Sequence, residues 1–420
     1  MLTKIISYLN NYDRFPFYTI SILPYSFGDS LEQIMHGYET AKKKNKSLLF
    51  ITVSIFPKFL KYKIASKFLL KNVYIENKNF TSELTKIIFS FFLNFDFFFQ
   101  RTYHLYLKIK KTKNYHFPCI GLEDLYLKNK FENIEKFKSY ELNFIISNEY
   151  EKRSKKILEK IGYKNSSKIV CMHIRDSAFH NDLGRRDFRN PKIENYYKSI
   201  NYLLDKGYSI FRLGLIANKR FEINNNNFFD LPFLVKPEDI EFLQFYLVKR
   251  CEFFIASESG PQYLPWFYKK PTLYTNIFRF FYLTSPNLNC RYTMRKFFNK
   301  KENRFFNLEE YINLPYRFHD VKFKDDTFDY IENTSKELLE SITEFEKLYF
   351  KNEWELSDNQ ISFNNFLKNR LKEMLDKNQN DPDEYLEKNN NKNLIVKNFL
   401  SNQGSATKNM ITINSKKNNV

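Results

Sequence analysis

The sequence predicts an α/β protein built on parallel sheets, and three observations carry that prediction. Apolar runs of strand length alternate with segments of helical period, and the joints between them are small, polar or glycine-containing loops. The chain has 420 residues, more than the roughly 250 to 300 that one hydrophobic core supports. Two domains are therefore expected.

Phe17 to Leu23 reads as a buried strand leading through Pro24-Tyr25-Ser26-Phe27-Gly28-Asp29 into a helix. Ser30 and Gln33 have capping-box spacing, and Leu31, Ile34, Met35 and Tyr38 recur at helical period. Lysines fill the last turn, where cations suit the helix dipole. Ser47 to Ile55 is the next apolar strand, so the chain opens as β-loop-α-β, the signature of a parallel pairing. Residues 56–150 are dense in Phe and Lys and show no period that separates helix from strand; they complete a first α/β domain, 1–155. A charged helix from Glu151 and the joint Lys164-Asn165-Ser166-Ser167 lead into a second domain, 165–350.

In that second domain Ile169 to Ile174 is a strand, Arg175 to Asn190 a polar loop, and Pro191 opens a helix whose apolar face is Ile193, Tyr196, Tyr197, Ile200, Leu203 and Leu204. Gly207 ends it, and Tyr208 to Leu213 is the next strand, closed by Gly214. Pro237 to Lys249 (helix), Phe253 to Ser257 (strand), Pro261 to Tyr268 (short helix) and Pro271 to Thr275 (strand) continue the alternation, about the size of one Rossmann-like half. Thr334-Ser335-Lys336-Glu337 is a capping box opening the helix Leu338 to Tyr349. A last helix covers 351–375, and the Asn/Lys/Asp-rich stretch 376–420 has too few large apolar groups to pack and reads as a disordered tail.

The formal charge is +19, which points to anionic partners, although asparagine- and lysine-rich runs give part of it the character of a compositional background. Four scattered cysteines without C-x-x-C pairing fit a reducing, cytoplasmic compartment. No secretory signal is expected at the N-terminus, where Asn10, Asn11 and Asp13 interrupt the apolar residues. The apolar stretch Ile87 to Phe99 contains Asn94 and Asp96 and falls short of the ~20 residues a membrane span needs. H-E-x-x-H, Walker A, G-x-S-x-G and G-x-G-x-x-G patterns are absent, and six scattered histidines speak against zinc. Asp381 and Asp383 form a D-x-D, but within the solvated tail. No metal and no cofactor is expected.

Four loops could carry chemistry. Cys171-Met172-His173-Ile174-Arg175-Asp176 lies at the carboxyl end of a strand, where open α/β sheets bind ligands; alternatively Arg175 and Asp176 pair and His173 is a core residue. Gly184-Arg185-Arg186-Asp187-Phe188-Arg189-Asn190 precedes a helix and reads as a phosphate clamp through Arg186, Arg189 and Asn190, or as a surface loop. Ala256-Ser257-Glu258-Ser259-Gly260-Pro261-Gln262 joins a strand to a helix, so its hydroxyls could hold phosphate; Ser259 and Gln262 equally fit a simple capping box. Gly28 and Asp29 form a strand-helix turn in which Asp29 is a general base or a helix cap.

These residues resemble a bacterial glycosyltransferase family with a strand carrying H-x-R-D, an R-N-x-x-I-x-x-Y loop-helix and a strand ending R-x-G. Here these are His173 to Asp176, Arg189 to Tyr196 and Arg212 to Gly214, followed by the S-G pair Ser259-Gly260, K-P-T-L-Y-T-N and Ile331-Glu332-Asn333-Thr334. The likeness covers about residues 165 to 350, with only the glycine turn at Gly28 upstream. The H-x-R element is also similar to that of fucosyltransferase-like enzymes, although H-I-R-D departs from their basic-glycine pattern.

The resemblance implies a GT-B-like fold of two Rossmann-like domains facing a cleft, and a metal-independent transfer from a nucleotide-sugar donor to a glycan or lipid-linked acceptor in surface-polysaccharide assembly. It implies that Arg175 neutralises the departing diphosphate, that Arg212 and Gly214 line the nucleotide pocket, and that Ser257, Ser259 and Gly260 hold phosphate or ribose. Fixed arginines stabilise a leaving diphosphate without metal. Asp29, His173 and Asp187 are the candidate bases. Lysines between Lys42 and Lys71, interleaved with Phe56, Phe59, Leu60 and Phe68, could rest the first domain on the anionic inner face of a membrane or form an ordinary solvated surface. The rival readings are a nucleotide-sugar epimerase, a non-catalytic partner subunit and a nucleic-acid-binding protein; the spread of charge along the chain and the lack of a nucleic-acid-binding motif speak against the last.

Overall fold

The computed structural model describes residues 2–22, 27–52, 66, 68, 80–109, 146–164, 167–179, 189–277, 289–307, 310, 328–376 and 405–408. The chain divides into two compact units, Met1–Ile145 and Ile146–Val420.

In the first unit α1 (Leu2–Asn11) precedes β1 (Phe17–Ile22), α2 (Phe27–Lys43) and β2 (Ser47–Thr52). β1 and β2 pair in parallel, Phe17 opposite Ser47 through Ile22 opposite Thr52, as the β-loop-α-β order predicts. Gly37 lets α2 lie close on this pair: a Cβ there would come within 2.6 Å of Ile20 Cδ1 and 3.0 Å of Leu48 Cδ1. The sequence reading missed α1. Asn10 holds it to β1, its Nδ2 donating to Thr19 O at 2.9 Å and its Oδ1 accepting Thr19 N–H at 2.7 Å. Lys46 Nζ then donates to the carbonyls of Asn10 and Tyr12 at 3.0 and 2.8 Å, closing the helix end with a cation. α2 also begins earlier than the Ser30 capping box suggests. Gly28 and Asp29 fall in its first turn, where an acidic residue suits the positive end of the helix dipole. α3 (Phe80–Ile109) occupies part of the stretch whose period was unreadable, because Ile87, Phe91 and Phe95 stay exposed while Leu93 is buried. Among the described residues, no helix is long and apolar enough to cross a membrane.

The second unit holds a seven-stranded sheet. Its strands are β3 (Ile169–His173), β4 (Ser209–Arg212), β5 (Phe228–Asp230), β6 (Phe253–Ser257), β7 (Thr272–Ile277), β8 (Cys290–Met294) and β12 (Ser405–Ala406). The spatial order is β12-β8-β7-β6-β3-β4-β5 and every described pairing is parallel. Read from β5 to β8 this is the doubly wound 3-2-1-4-5-6 order, which reverses direction between β3 and β6.

Helices cover both faces, which is why β3 to β8 are buried along almost their whole length instead of alternating between buried and exposed. Val170, Met172, Ile210, Phe253, Ile255 and Leu273 pack with a 3-10 turn (Ile193–Tyr196), α5 (Tyr197–Asp205) and α9 (Ser335–Lys351). Against the other face lies α7 (Pro237–Arg250), with α4 (Asn148–Lys160) behind it, Arg153 over the Phe242 ring and Tyr150 tilted against it. α6 (Leu231–Leu234) and α8 (Leu264–Phe267) are single turns. A small antiparallel sheet of β9 (Lys296–Asn299), β10 (Arg304–Phe305) and β11 (Phe328–Ile331) follows β8. α9 opens on the predicted capping box, in which Thr334 and Glu337 exchange hydrogen bonds, and α10 (Asp358–Asp376) follows it. Within the stretch expected to be disordered, Ser405–Ala406 extends the sheet beside β8, and Thr407 N–H donates to Tyr292 O at 3.1 Å. Backbone pairing, which needs no large apolar side chains, is the reason composition concealed this strand. Asp381 and Asp383 lie outside the described residues.

Candidate functional site

The reversal between β3 and β6 sets the carboxyl ends of these two strands side by side, His173 opposite Ala256. A crevice at such a switch point is where doubly wound sheets bind ligands. The described ends of the β3 and β6 loops meet there, joined by Arg189 and Asn190. The backbone N–H of Arg175 donates to Ser257 Oγ at 2.7 Å, and Ser257 Oγ lies 3.4 Å from His173 O. Ser259 Oγ is 2.8 Å from His173 Nδ1 and 3.3 Å from Ser257 O. Ser259 is therefore the N-cap residue only in backbone position, for its hydroxyl is turned to the histidine and makes no cap bond.

Arg175 is buried, and its Nη1 donates to Asn190 Oδ1. Arg189 Nη2 donates to Glu258 O at 3.1 Å, with Nε 3.5 Å from Glu258 Oε1. Arg175 by its backbone and Arg189 by its guanidinium thus hold the end of β6 and its loop from the β3 side. Arg186 and Asp187 lie outside the described residues.

His173 sits in a setting that disfavours charge. Burial, then the guanidiniums of Arg212 and Arg175, lower its pKa to about 3, so the ring is neutral near pH 7. Gly214 closes over it: a Cβ at Gly214 would lie 3.8 Å from His173 Nε2. That contact is ordinary, but the backbone φ of +136° is a glycine conformation.

Arg212 is 1% exposed, and both of its Nη atoms engage protein groups. Its Nη1 donates to Lys219 O at 2.8 Å and to both carboxylate oxygens of Asp230 at 3.3 Å, while Nη2 reaches Asp176 Oδ2 at 3.5 Å. Asp176 also accepts the N–H of Asn218 at 2.8 Å. The H-x-R-D aspartate therefore pairs with Arg212 on β4 and ties β3 to the loop beyond β4. Burial pushes the Asp230 carboxyl up and Arg212 pulls it back.

The helix after Ser259-Gly260 is a 3-10 turn (Gly260–Tyr263) followed by a single α turn. It is too short to build the macrodipole expected to aid anion binding, because aligned peptide dipoles must accumulate over several turns.

A hub of residues that the resemblance includes, but to which the sequence reading gave no role, lies one strand further. β7 carries a bulge at Asn276, whose φ of +54° is left-handed. Asn276 Nδ2 donates to Tyr196 OH at 3.0 Å and its N–H to Asn333 Oδ1 at 3.1 Å, while Asn333 N–H returns to Asn276 Oδ1 at 2.7 Å. Tyr196 OH meets Thr275 Oγ1 at 2.8 Å, and burial pushes the phenol up to about 12. The signal available was asparagine at a strand end: it tolerates left-handed backbone where other side chains do not. Among the described residues no group of three or more His, Cys, Asp or Glu side chains is placed to hold a metal ion.

Strand order and converging loops define the second unit as a doubly wound α/β protein of Rossmann type, with its candidate site at the switch point. No protein-family model matches the chain, and no curated protein does. Among solved structures, the glycosyl transferase family 9 protein from Veillonella parvula DSM 2008 aligns over 61% of this chain and 79% of its own. The identity is 10% and the TM-score 0.33.

Proposed function

We propose that the protein is a glycosyltransferase that moves a sugar from a nucleotide-sugar donor to a glycan or lipid-linked acceptor of surface-polysaccharide assembly. The observation that carries this reading is the buried Arg175 at the reversal of a doubly wound sheet, its backbone N–H held by the Ser257 hydroxyl and its guanidinium by Asn190 Oδ1. A fixed guanidinium at that point suits a diphosphate, whose charge grows as the sugar departs. The H-x-R-D, R-N-x-x-I-x-x-Y and R-x-G resemblance points the same way.

On this reading Arg175 faces the leaving diphosphate and the Ser259-Gly260 loop borders it, with Arg189 and Asn190 holding the loops in register. Arg212 contributes by stiffening: its ion pairs to Asp230 and Asp176 fix the ends of β3, β4 and β5. His173, with a pKa near 3, is a weak proton acceptor at neutral pH and serves better as a neutral hydrogen-bonding group. Asp29 and Asp187 are the remaining candidate bases. The reaction needs no metal on this account, and peripheral contact with anionic lipid would bring the enzyme to a lipid-linked acceptor.

The test is turnover. Purified protein is incubated with common nucleotide-sugars and a lipid-linked acceptor extract, with and without EDTA, and release of nucleoside diphosphate is followed. EDTA-insensitive release that requires acceptor and is lost in Arg175→Ala supports the transferase. Conversion of the nucleotide-sugar without acceptor would replace it with the epimerase reading.

A further inference from the structure

Among the described residues at the carboxyl edge of the sheet, two buried polar atoms have neither a hydrogen-bond partner nor an ion pair. Arg295 directly follows β8 and is 4% exposed. Its Nε donates to Asn276 O at 3.3 Å, but its Nη2 has no hydrogen-bond partner. Gln262, 8% exposed in the 3-10 turn after β6, has an Oε1 in the same condition. A buried guanidinium N–H without an acceptor is costly and is kept only where something compensates it.

Around Arg295 the protein has organised everything else. Asn276, Asn333, Thr293 and Tyr196 satisfy one another. Glu258 and Glu332 lie near enough to favour the charged form against the burial that lowers the Arg295 pKa, yet neither forms an ion pair with it. The Glu258 carboxylate faces Arg189, and Glu332 accepts the N–H of Lys192 at 2.8 Å. The hub therefore holds the guanidinium by Nε and supplies no acceptor for Nη2.

We infer that Arg295 is a ligand-binding residue of the donor site, its Nη2 taking an acceptor oxygen at the end of the ligand remote from Arg175. This rests on the nucleotide-sugar reading. β3 and β8 are separated by β6 and β7. The Arg295 guanidinium is held at Asn276 O on β7, two strand steps or about 10 Å from β3, so the two arginines approach an extended ligand from different strands. The oxygen belongs either to the nucleobase or to the sugar, and both present the same chemistry to a guanidinium.

Isothermal titration calorimetry with UDP, GDP, ADP and CDP, and with the glucose and glucuronic acid conjugates of whichever binds, separates the possibilities. Wild type, Arg175→Ala, Arg295→Met and Arg295→Lys are compared in EDTA-containing buffer, with Tm recorded without ligand. Arg295→Met is expected to weaken binding roughly ten- to hundredfold, the effect of one hydrogen bond to a charged group. Its ligand-free Tm should be unchanged or higher, because an under-satisfied buried charge has been replaced by an apolar chain. Arg295→Lys, which keeps the charge and guards against a misfolded Met variant, should give a smaller loss. Weakening already seen with the diphosphate alone assigns the nucleotide end; weakening confined to the conjugates assigns the sugar. Wild-type affinity in both Arg295 variants, beside a loss in Arg175→Ala, overturns the inference and leaves the donor reading standing. A large fall in ligand-free Tm in both variants also overturns it, by making Arg295 structural. A wild-type protein that binds none of the nucleotides overturns the donor reading itself, before any variant is compared.

Discussion

The backbone N–H of Arg175 and the hydroxyl of Ser257 meet at 2.7 Å across the two strands between which the sheet reverses direction. The conformation of the β3 loop is thus set by a side chain 82 residues later. Ser257→Ala leaves that N–H buried without its acceptor and is expected to cost about 1–3 kcal/mol. Urea denaturation should show the loss, and nucleotide affinity should fall with it because Arg175 is no longer fixed.

Arg212 and Asp230 form a buried pair, and breaking one side is worse than removing both. Arg212→Met should destabilise by about 3–5 kcal/mol, whereas Arg212→Met with Asp230→Leu should recover much of that. The single variant strands a carboxyl whose pKa burial already raises. A raised folded pKa gives stability that is lost as pH increases, so the penalty in Arg212→Met should be smaller at pH 4 than at pH 8. Chemical denaturation at the two pH values reads both effects.

His173 has the opposite sign. Its folded pKa of about 3 lies below the ordinary value of about 6.5, so the unfolded chain binds the proton first. Stability from this site is complete above pH 6.5 and is lost as pH falls through the window toward 3. The slope approaches about 1.4 kcal/mol per pH unit well inside that window. His173→Gln should flatten the acid limb of a Tm-against-pH curve; an unchanged acid limb would contradict the assignment.

Asn333 joins β7, β8 and the start of α9 through Asn276, Thr293 and the carbonyl of Met294. Asn333→Ala orphans several buried groups at once and should cost about 2–4 kcal/mol, more than a single lost bond. Thr334→Ala, next in sequence but only a helix cap, should cost about 1 kcal/mol. Equal losses would mean that the hub is not cooperative.

What the sequence made legible was whatever local chemistry decides. The parallel β1-β2 pair, the strands β3, β4, β6 and β7, and the Thr334-Glu337 cap follow from period, proline and capping residues, and the structure has them within a few residues, whereas the three-residue β5 and the strand β8 were not read from the sequence. α3 was hidden because its phenylalanines are not confined to a buried face, so no period marks it. Ser405–Ala406 was hidden because a two-residue strand is held by backbone groups common to all sequences. In the candidate site, His173, Arg175, Ser257 and Ser259 could be singled out from their place at strand ends. The partners of Arg212 could not, since Asp230 and Asp176 reach it only through the strand order of the folded sheet.

The central claim is that Arg175 fixes a nucleotide diphosphate at the switch point without metal. Thermal shift in EDTA with UDP, GDP, CDP and ADP, on wild type and Arg175→Ala, tests it most directly. A ligand that binds only the folded state at 100 times its Kd stabilises by about 2.7 kcal/mol, enough for a clear rise in Tm. The account predicts such a rise with one nucleotide in the wild type and its loss in a folded Arg175→Ala. An equal rise in both proteins, or none with any nucleotide, would contradict it.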